Sequence, residues 1–220
     1  MFITVQAHQF SAYSHLLDQY FKLRKKVFAD HLGWAVPVED GKETDRYDRL
    51  KPVYLLWCDE NLQTLFGGVR FMPTTGPTLL YDVFRKTFPN AVELRAPGIW
   101  EATRLCIDED AIQQHELKIT AARAFSLMIL ALSECGLEHG IHTLISNYEP
   151  QMARVYRRAG ACIQELGRAD GFGRLPVCCG AFEVTTEVCQ FMRETLGVDE
   201  SFYRTSTQTW FAQPLMLEAA

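Results

Sequence analysis

Between Ser11 and Phe28 the apolar residues recur at helical spacing. At about 100° per residue, Tyr13, Leu16, Leu17, Tyr20, Phe21, Val27 and Phe28 share one side, and Asp18, Lys22, Lys25 and Lys26 share the other. Arg24 falls in the middle of the apolar stripe. A guanidinium keeps its proton, so burying it requires carboxylate partners. The next segment supplies candidates in Glu39, Asp40, Glu43, Asp45 and Asp48; Arg70, Glu101 and Arg104 follow. The pattern predicts a partly buried cluster of alternating charges drawn from four segments. Spacing alone leaves open whether it fixes a loop or forms a reaction site.

Around this helix the pattern predicts a mixed sheet. Strands are expected at Phe2 to Gln6, Val53 to Cys58, Thr64 to Phe71, Ile99 to Ile107, His142 to Ser146, Ala161 to Leu166 and Cys178 to Val184. His31 to Leu50 shows no sustained period and reads as a long loop carrying Trp34, either a hydrophobic plug or a lid over a flat ligand. Gly67-Gly68 points to a bulge or a close backbone approach. Tyr81 to Lys86 reads as a short helix. Ile119 to His139 is apolar almost all round and stops at Gly140, the signature of a buried helix. Helices from Pro150 to Ala159 and from Glu187 to Leu196 complete the set, and the chain after Val198 gives little signal. Glu101 and Arg104 are three apart on one predicted strand, where side chains alternate between faces. For both to reach one site, that strand must be distorted there. The order of elements predicts an α/β (α+β) three-layer sandwich, a mixed sheet flanked by helices. One domain over 1–220 is expected, with its core at about 2–197 and a tail at 198–220.

Composition narrows the chemistry. A formal charge of −5 and a pI near 5.7 argue against general nucleic-acid or membrane affinity. The opening Met1 to Val5 is too short for a signal peptide, and Lys118, Arg123, Ser126, Ser133 and Glu134 interrupt the longest apolar run. The 7 Cys are odd in number and lack zinc-site or disulfide-framework spacing, which fits reduced thiols in the cytoplasm and no metal.

Arg154 to Gly160 and the strand after it resemble the late helix and strand of acyl-CoA-dependent N-acyltransferases, whose fold the predicted sandwich shares. That superfamily cradles pyrophosphate on a glycine-rich turn opening the long helix, whereas Glu109 to Thr120 contains no glycine. The series Arg24, Phe28, Trp34, Asp45, Asp48, Arg70, Phe84, Glu101, Arg104 resembles the signature of the acyl-homoserine lactone synthases, the autoinducer synthases of quorum sensing, which also lack that turn. The resemblance runs from the first helix to Val184 and favours a reaction site over a purely structural network. One departure is Leu105, where the family commonly has an aromatic residue.

The resemblance implies S-adenosylmethionine and an acyl thioester, on acyl carrier protein or coenzyme A, as substrates, with no cofactor or metal. It places Arg24, Asp45, Asp48, Arg70, Glu101 and Arg104 in the catalytic network, with Glu101 as proton acceptor. It places Phe28, Trp34, Asp45, Phe84, Thr103 and Arg104 around S-adenosylmethionine. Leu127, Met128, Thr143 and Leu144 are candidates for an acyl tunnel, Thr143 for an oxygen at carbon 3. The implied chain is medium to long and 3-hydroxy or 3-oxo. Arg154, Arg157 and Arg158 are candidates for receiving an acidic carrier protein. Two other readings stay open, a generic N-acyltransferase acting on another amine and a catalytically silent binding protein.

Overall fold

In the computed structural model, which describes residues 1–203, alternation along the strands sorts apolar side chains onto two faces of a mixed sheet. Among the described residues the order is β1 (Phe2–Val5), α1 (Ser14–Arg24), β2 (Val38–Glu39), β3 (Lys42–Glu43), β4 (Val53–Cys58), β5 (Leu65–Pro73), α2 (Leu79–Asp82) and β6 (Ile99–Ile107). There follow α3 (Glu109–Gln114), α4 (Ala121–Glu138), β7 (Thr143–Tyr148), α5 (Met152–Arg158), β8 (Ile163–Ala169), β9 (Val177–Glu183) and α6 (Thr186–Leu196). The large sheet has the order β1-β4-β5-β6-β7-β9-β8. All its neighbours are antiparallel except β6 and β7.

One face, with Leu55, Val69, Phe71, Ala102, Leu144 and Phe182, packs against α4 and the inner sides of α5 and α6. The other packs Tyr54, Leu56 and Cys106 against Leu16, Leu17, Tyr20 and Leu23 of α1. Farther along that second face, Ile145 and Cys179 lie under Leu80, Phe88 and Leu94. The three-layer sandwich is the expected fold. Helix α4 is buried around most of its circumference, starts on a Thr120 cap that accepts from Arg123 N at 3.2 Å, and gives way to Gly140 at φ +71°. Its one buried acid, Glu134, is satisfied by Arg193 at 2.7 Å and by the backbone N–H of Phe202 at 2.8 Å. Val198, Phe202 and Tyr203 thereby pack on the core. Of the tail set apart at 198–220, residues 204–220 lie outside the described residues.

The segment read as a long loop has structure of its own. After Arg24 the helix widens into a π-turn over Lys25–His31, closed by Leu32 N–H on the Val27 carbonyl at 3.0 Å. Strands β2 and β3 form a hairpin whose turn is Asp40-Gly41, both at positive φ (49° and 75°), the geometry that Asp-Gly favours. Two-residue strands are too short to show alternation, so only the Asp-Gly pair could have signalled them. The short helix expected at Tyr81 to Lys86 lies at Leu79–Asp82, followed by a 3₁₀ turn at Arg85–Thr87. Helix α3, capped by Asp108, was not expected.

Candidate active site

The distortion that the Glu101–Arg104 spacing requires is present. Arg70 pairs with Thr103 and Gly68 with Cys106, so two steps along β5 oppose three along β6. The extra residue is taken up at Arg104, whose φ of +59° is rare for a side chain with a Cβ. Tyr20 fixes the bulge by donating its hydroxyl to the Arg104 carbonyl at 2.8 Å. The Tyr20 ring comes so close to β5 that a Cβ on Gly68 would sit 2.8 Å from it, which accounts for a glycine there.

Arg24 is fully buried, as the stripe predicts, and every nitrogen of its guanidinium is partnered. Its Nε donates to Glu43 at 2.5 Å, and its two terminal nitrogens grip Asp48 at 2.8 and 3.0 Å. Arg70 grips Asp45 in the same bidentate way at 2.6 and 2.9 Å and donates Nε to Thr103 Oγ1 at 3.2 Å. Arg104 reaches Glu43 at 3.1–3.2 Å and Asp45 at 3.4 Å. Three guanidinium groups thus face three carboxylates. Burial opposes the Asp48 charge, but the hydrogen bonds and charge of Arg24, with the charge of Arg70, hold its carboxyl well below the usual range. Burial likewise works against Arg24, and its bonds to Asp48 with the surrounding negative charge leave it more firmly protonated than usual. Arg104 is the least committed of the three. Among the described residues its Nη1 has no hydrogen bond, and its side chain keeps 10% exposure where Arg24 and Arg70 keep none.

Glu101 stands beside this network. On the same face it accepts the backbone N–H groups of Leu79 at 3.0 Å and Leu80 at 2.6 Å, tying the start of α2 to β6. Burial raises its pKa; the Leu80 amide, the Arg70 charge, the Leu79 amide and Arg104 oppose the rise, and it settles at about 7. That is the range a general base needs near neutral pH.

β6 and β7 pair only over Ile99–Glu101 and Thr143–Ile145. Beyond Glu101 the edge of β6 facing β7 has no strand partner among the described residues. A cavity of about 430 Å³ fills this wedge, walled by Ala102, Thr103, Leu105 and Ile107 from β6 and by Leu144, Ser146, Asn147 and Tyr148 from β7. Helix α4 contributes Ala122, Phe125, Ile129, Leu132 and Ser133, and α5 contributes Met152, Val155 and Tyr156. At its other end lie Phe28 and Trp34, stacked with ring centroids 5.2 Å apart. The Arg104 guanidinium lies 5.4 Å from the Phe28 ring centroid, so the charge network and the cavity meet there.

Among the residues chosen from sequence, Arg24, Asp45, Asp48, Arg70, Thr103 and Arg104 share hydrogen bonds or ion pairs, and Phe28 and Trp34 adjoin them. Phe84 packs with Tyr47, Met72 and Leu79 on the same face of the sheet and against Phe172, outside the cavity. Of the four residues expected along an acyl tunnel, only Leu144 lines the cavity. Leu127 and Met128 are core residues on other sides of α4, whose cavity stripe instead steps through Ala122, Phe125, Ile129 and Leu132. Thr143 alternates to the opposite face from Leu144, and its hydroxyl meets His142 Nδ1 at 3.0 Å. Leu105, where an aromatic residue was missing, is cavity wall. Arg154, Arg157 and Arg158 are exposed on α5, without a carboxylate partner among the described residues, while Met152, Val155 and Tyr156 of that helix reach the cavity.

Sequence reasoning named Glu43 only as a possible partner of Arg24. It is in fact the joint between Arg24 and Arg104, and the alternating Glu43 and Asp45 were the available signal. Tyr54, which donates to Asp48 at 2.8 Å, and Tyr20 were missed as site residues because both read as ordinary apolar-face positions.

The sequence matches the autoinducer synthase family model over residues 8–191. An acyl-homoserine-lactone synthase of Rhizobium etli is 36% identical over 182 residues, covering 82% of each chain. One from Ralstonia solanacearum is 31% identical over 168 residues, covering 76% of this chain and 81% of its own. Among solved structures, the CoA-dependent acyl-homoserine lactone synthase BjaI with SAM and isopentyl-CoA has a TM-score of 0.79 at 23% identity, covering 91% of this chain and 90% of its own. The AHL synthase LasI has a TM-score of 0.74 at 24% identity, covering 88% and 94%. At such identities the structural likeness speaks to the fold.

Proposed function

The chain belongs to the autoinducer synthase family, and we propose that it acts as an acyl-homoserine-lactone synthase, making the lactone signal from S-adenosylmethionine and an acyl thioester. The observation that carries this reading is the junction at the β6 bulge. There a charge-balanced network with one uncommitted guanidinium nitrogen adjoins an apolar cavity and a carboxyl group with a pKa of about 7.

The first step joins the methionyl nitrogen to the thioester carbonyl carbon and expels the carrier thiol. Glu101, directly or through a water, takes the proton the amine loses. A backbone N–H on the unpaired edge of β6 serves the oxyanion. In the second step the methionyl carboxylate attacks the carbon beside the sulfonium, closing the lactone and releasing methylthioadenosine. That leaving group departs neutral, so the step asks for no general acid and no metal, only proximity and a folded-back substrate. Arg104 holds the carboxylate through its free Nη1 before closure. Asp45 and Asp48 set a negative field for the sulfonium or amine, and Arg24 and Arg70 keep those acids ionised and placed. Phe28 and Trp34 offer ring faces to the sulfonium or adenine, Thr103 a hydroxyl, and Phe84 a more distant wall.

The acyl chain runs into the cavity along α4 and is medium to long, with an oxygen at carbon 3. The carrier is acyl carrier protein or coenzyme A; exposed Arg154, Arg157 and Arg158 beside the cavity favour the acidic protein. Free thiols throughout the described residues fit a cytoplasmic enzyme. The test is purified protein with S-adenosylmethionine and a panel of acyl thioesters, followed by mass spectrometry. Lactone with methylthioadenosine is the expected result. Acyl amides of another amine, or binding without turnover, would refute it.

A further inference from the structure

The apolar stripe that α4 turns toward the sheet carries one hydroxyl into the cavity. Ala122, Phe125, Ile129 and Leu132 are followed by Ser133, which lies within about 40° of Ile129 around the helix axis and lines the same cavity. The residue is only 6% exposed. A serine inside a helix commonly donates its hydroxyl to the carbonyl four residues back, as Ser126 does to Ala122 at 2.9 Å. Ser133 makes no such bond, and its Oγ has no hydrogen-bond partner among the described residues. The one side-chain atom among them that is both sealed and unpaired is Asn147 Oδ1, on the other face of the sheet. The unpaired Ser133 hydroxyl therefore keeps accessible surface, and the surface it belongs to is the cavity wall.

The fold fixes where along the cavity this hydroxyl stands. Helix α4 ends at Glu138 and β7 begins at Thr143, so the last turns of α4 lie over the start of β7. Gly136, three residues on from Ser133, confirms it: a Cβ there would sit 3.4 Å from Val184, which follows the Glu183 that pairs with Thr143. The pairing of β6 with β7 also stops at this end, at Glu101 with Ile145, and the next residues on the α4 side are the cavity walls Ala102 and Leu144. Ser133 thus faces the closed end of the wedge, the end that holds Glu101 on the opposite face. A thioester carbonyl attacked beside Glu101 has its carbon 3, two bonds along the chain, in this part of the cavity.

We propose that the Ser133 hydroxyl selects acyl chains oxygenated at carbon 3 by hydrogen-bonding to that oxygen, the role that Thr143, turned to the other face, does not fill. A hydroxyl both donates and accepts, so it serves a 3-oxo group as donor and a 3-hydroxyl in either direction. A plain methylene would cover it and strip its water, leaving it to fall back on the Ile129 carbonyl. The inference rests on the acyltransferase reading above and adds to it a residue and the feature of the chain that it reads.

The test compares full-length wild type with Ser133→Ala, which removes the hydroxyl, Ser133→Cys, which keeps its volume with a weak hydrogen-bonding group, and Thr143→Val. Three pantetheine thioesters of one chain length are used: 3-hydroxyacyl, 3-oxoacyl and unsubstituted acyl. The readout is the ratio of kcat/KM for each oxygenated chain to that for the unsubstituted one. Both Ser133 variants should lower this ratio about tenfold, the effect of one ordinary hydrogen bond, for the 3-hydroxy chain, the 3-oxo chain or both. An unchanged ratio in Ser133→Ala, as expected if the hydroxyl holds only a water, overturns the proposal. So does an equal fall for all three thioesters, which is a packing effect, or a full return of the ratio in Ser133→Cys, which makes size the cause. A ratio that moves with Thr143→Val and not with Ser133→Ala overturns it as well. Should wild type make no lactone from any thioester, the enzymatic reading fails first, and calorimetric binding of unreactive thioether analogues of the same three chains to wild type and Ser133→Ala still decides the role of Ser133.

Discussion

Replacing Glu43 by Gln keeps the side chain's size and removes one charge from the middle of the network. In the native site Glu43 accepts from Arg24 Nε and from Nε and Nη2 of Arg104, with no exposure of its own. Three guanidinium groups balance three carboxylates; after the substitution three face two, leaving one unmatched buried positive charge. The Gln amide also turns an N–H₂ toward groups that are themselves donors. Removing one partner of a buried pair is destabilising by about 3–5 kcal/mol. For a domain of this size each kcal/mol is about 2–4 °C, so the melting temperature should fall by roughly 6–20 °C. Urea unfolding at neutral pH, followed by tryptophan fluorescence, measures the same quantity directly. A double variant with Arg104→Met restores the balance at two and two, and should be less destabilised than the sum of its parts by about 1 kcal/mol or more. Because the pairs are buried, added salt should change these differences little. A loss below about 1 kcal/mol, or one that disappears at high salt, is how exposed pairs behave; either result would refute the claim that this network is a desolvated, mutually dependent unit.

Glu101→Gln should lower kcat about a hundredfold and abolish the rise in activity through pH 7 expected of wild type; an unchanged pH profile would remove Glu101 as the base. The same group has a stability signature of definite sign: its folded pKa of about 7 lies above the ordinary 4.5, so its contribution is full below pH 4.5 and is lost as pH rises through 7. Denaturation from pH 4 to 8 should show that slope in wild type and not in Glu101→Gln. Ile129→Trp, which fills the cavity from α4, should shift the product spectrum toward shorter acyl chains while leaving S-adenosylmethionine affinity unchanged, as read by mass spectrometry and calorimetry. Reversing Arg154, Arg157 and Arg158 to Glu should raise KM for acyl carrier protein thioesters severalfold at low salt and leave small-thiol thioesters unaffected; equal effects on both would take these arginines out of carrier recognition.

Much of the site was legible because its residues break local rules. Arg24 in an apolar stripe requires partners, and acids within the next few dozen residues are the nearest supply. The Glu101–Arg104 spacing, impossible for one face of a regular strand, meant that the strand had to be distorted if both side chains were to reach one site. What stayed hidden depended on which side of an element faces the wedge. Leu127 and Met128 are as apolar as Phe125 and Ile129, and only the rotation of α4 against the sheet separates core from cavity wall. Thr143 carries a suitable hydroxyl, yet strand alternation turns it to the other face.

The φ of +59° at Arg104 is a strained conformation, and three separate parts of the chain hold it there. Tyr20 of α1 anchors the carbonyl, Glu43 of β3 draws the guanidinium, and the Gly68 gap in β5 lets the Tyr20 ring come close enough to do so. Strain of this kind persists only where surrounding structure over-determines it. A regular β6 would be cheaper for the backbone, but it would send Arg104 to the face opposite Glu101, apart from Arg24 and Arg70. The bulge also falls just beyond the point where β6 and β7 cease to pair, so the turn that brings Arg104 into the charge network lies in the stretch of β6 that walls the cavity. One backbone irregularity therefore sets side by side the two features that the proposed acyl transfer would use: a cation for a substrate carboxylate, and an apolar cavity along an unpaired strand edge for a thioester.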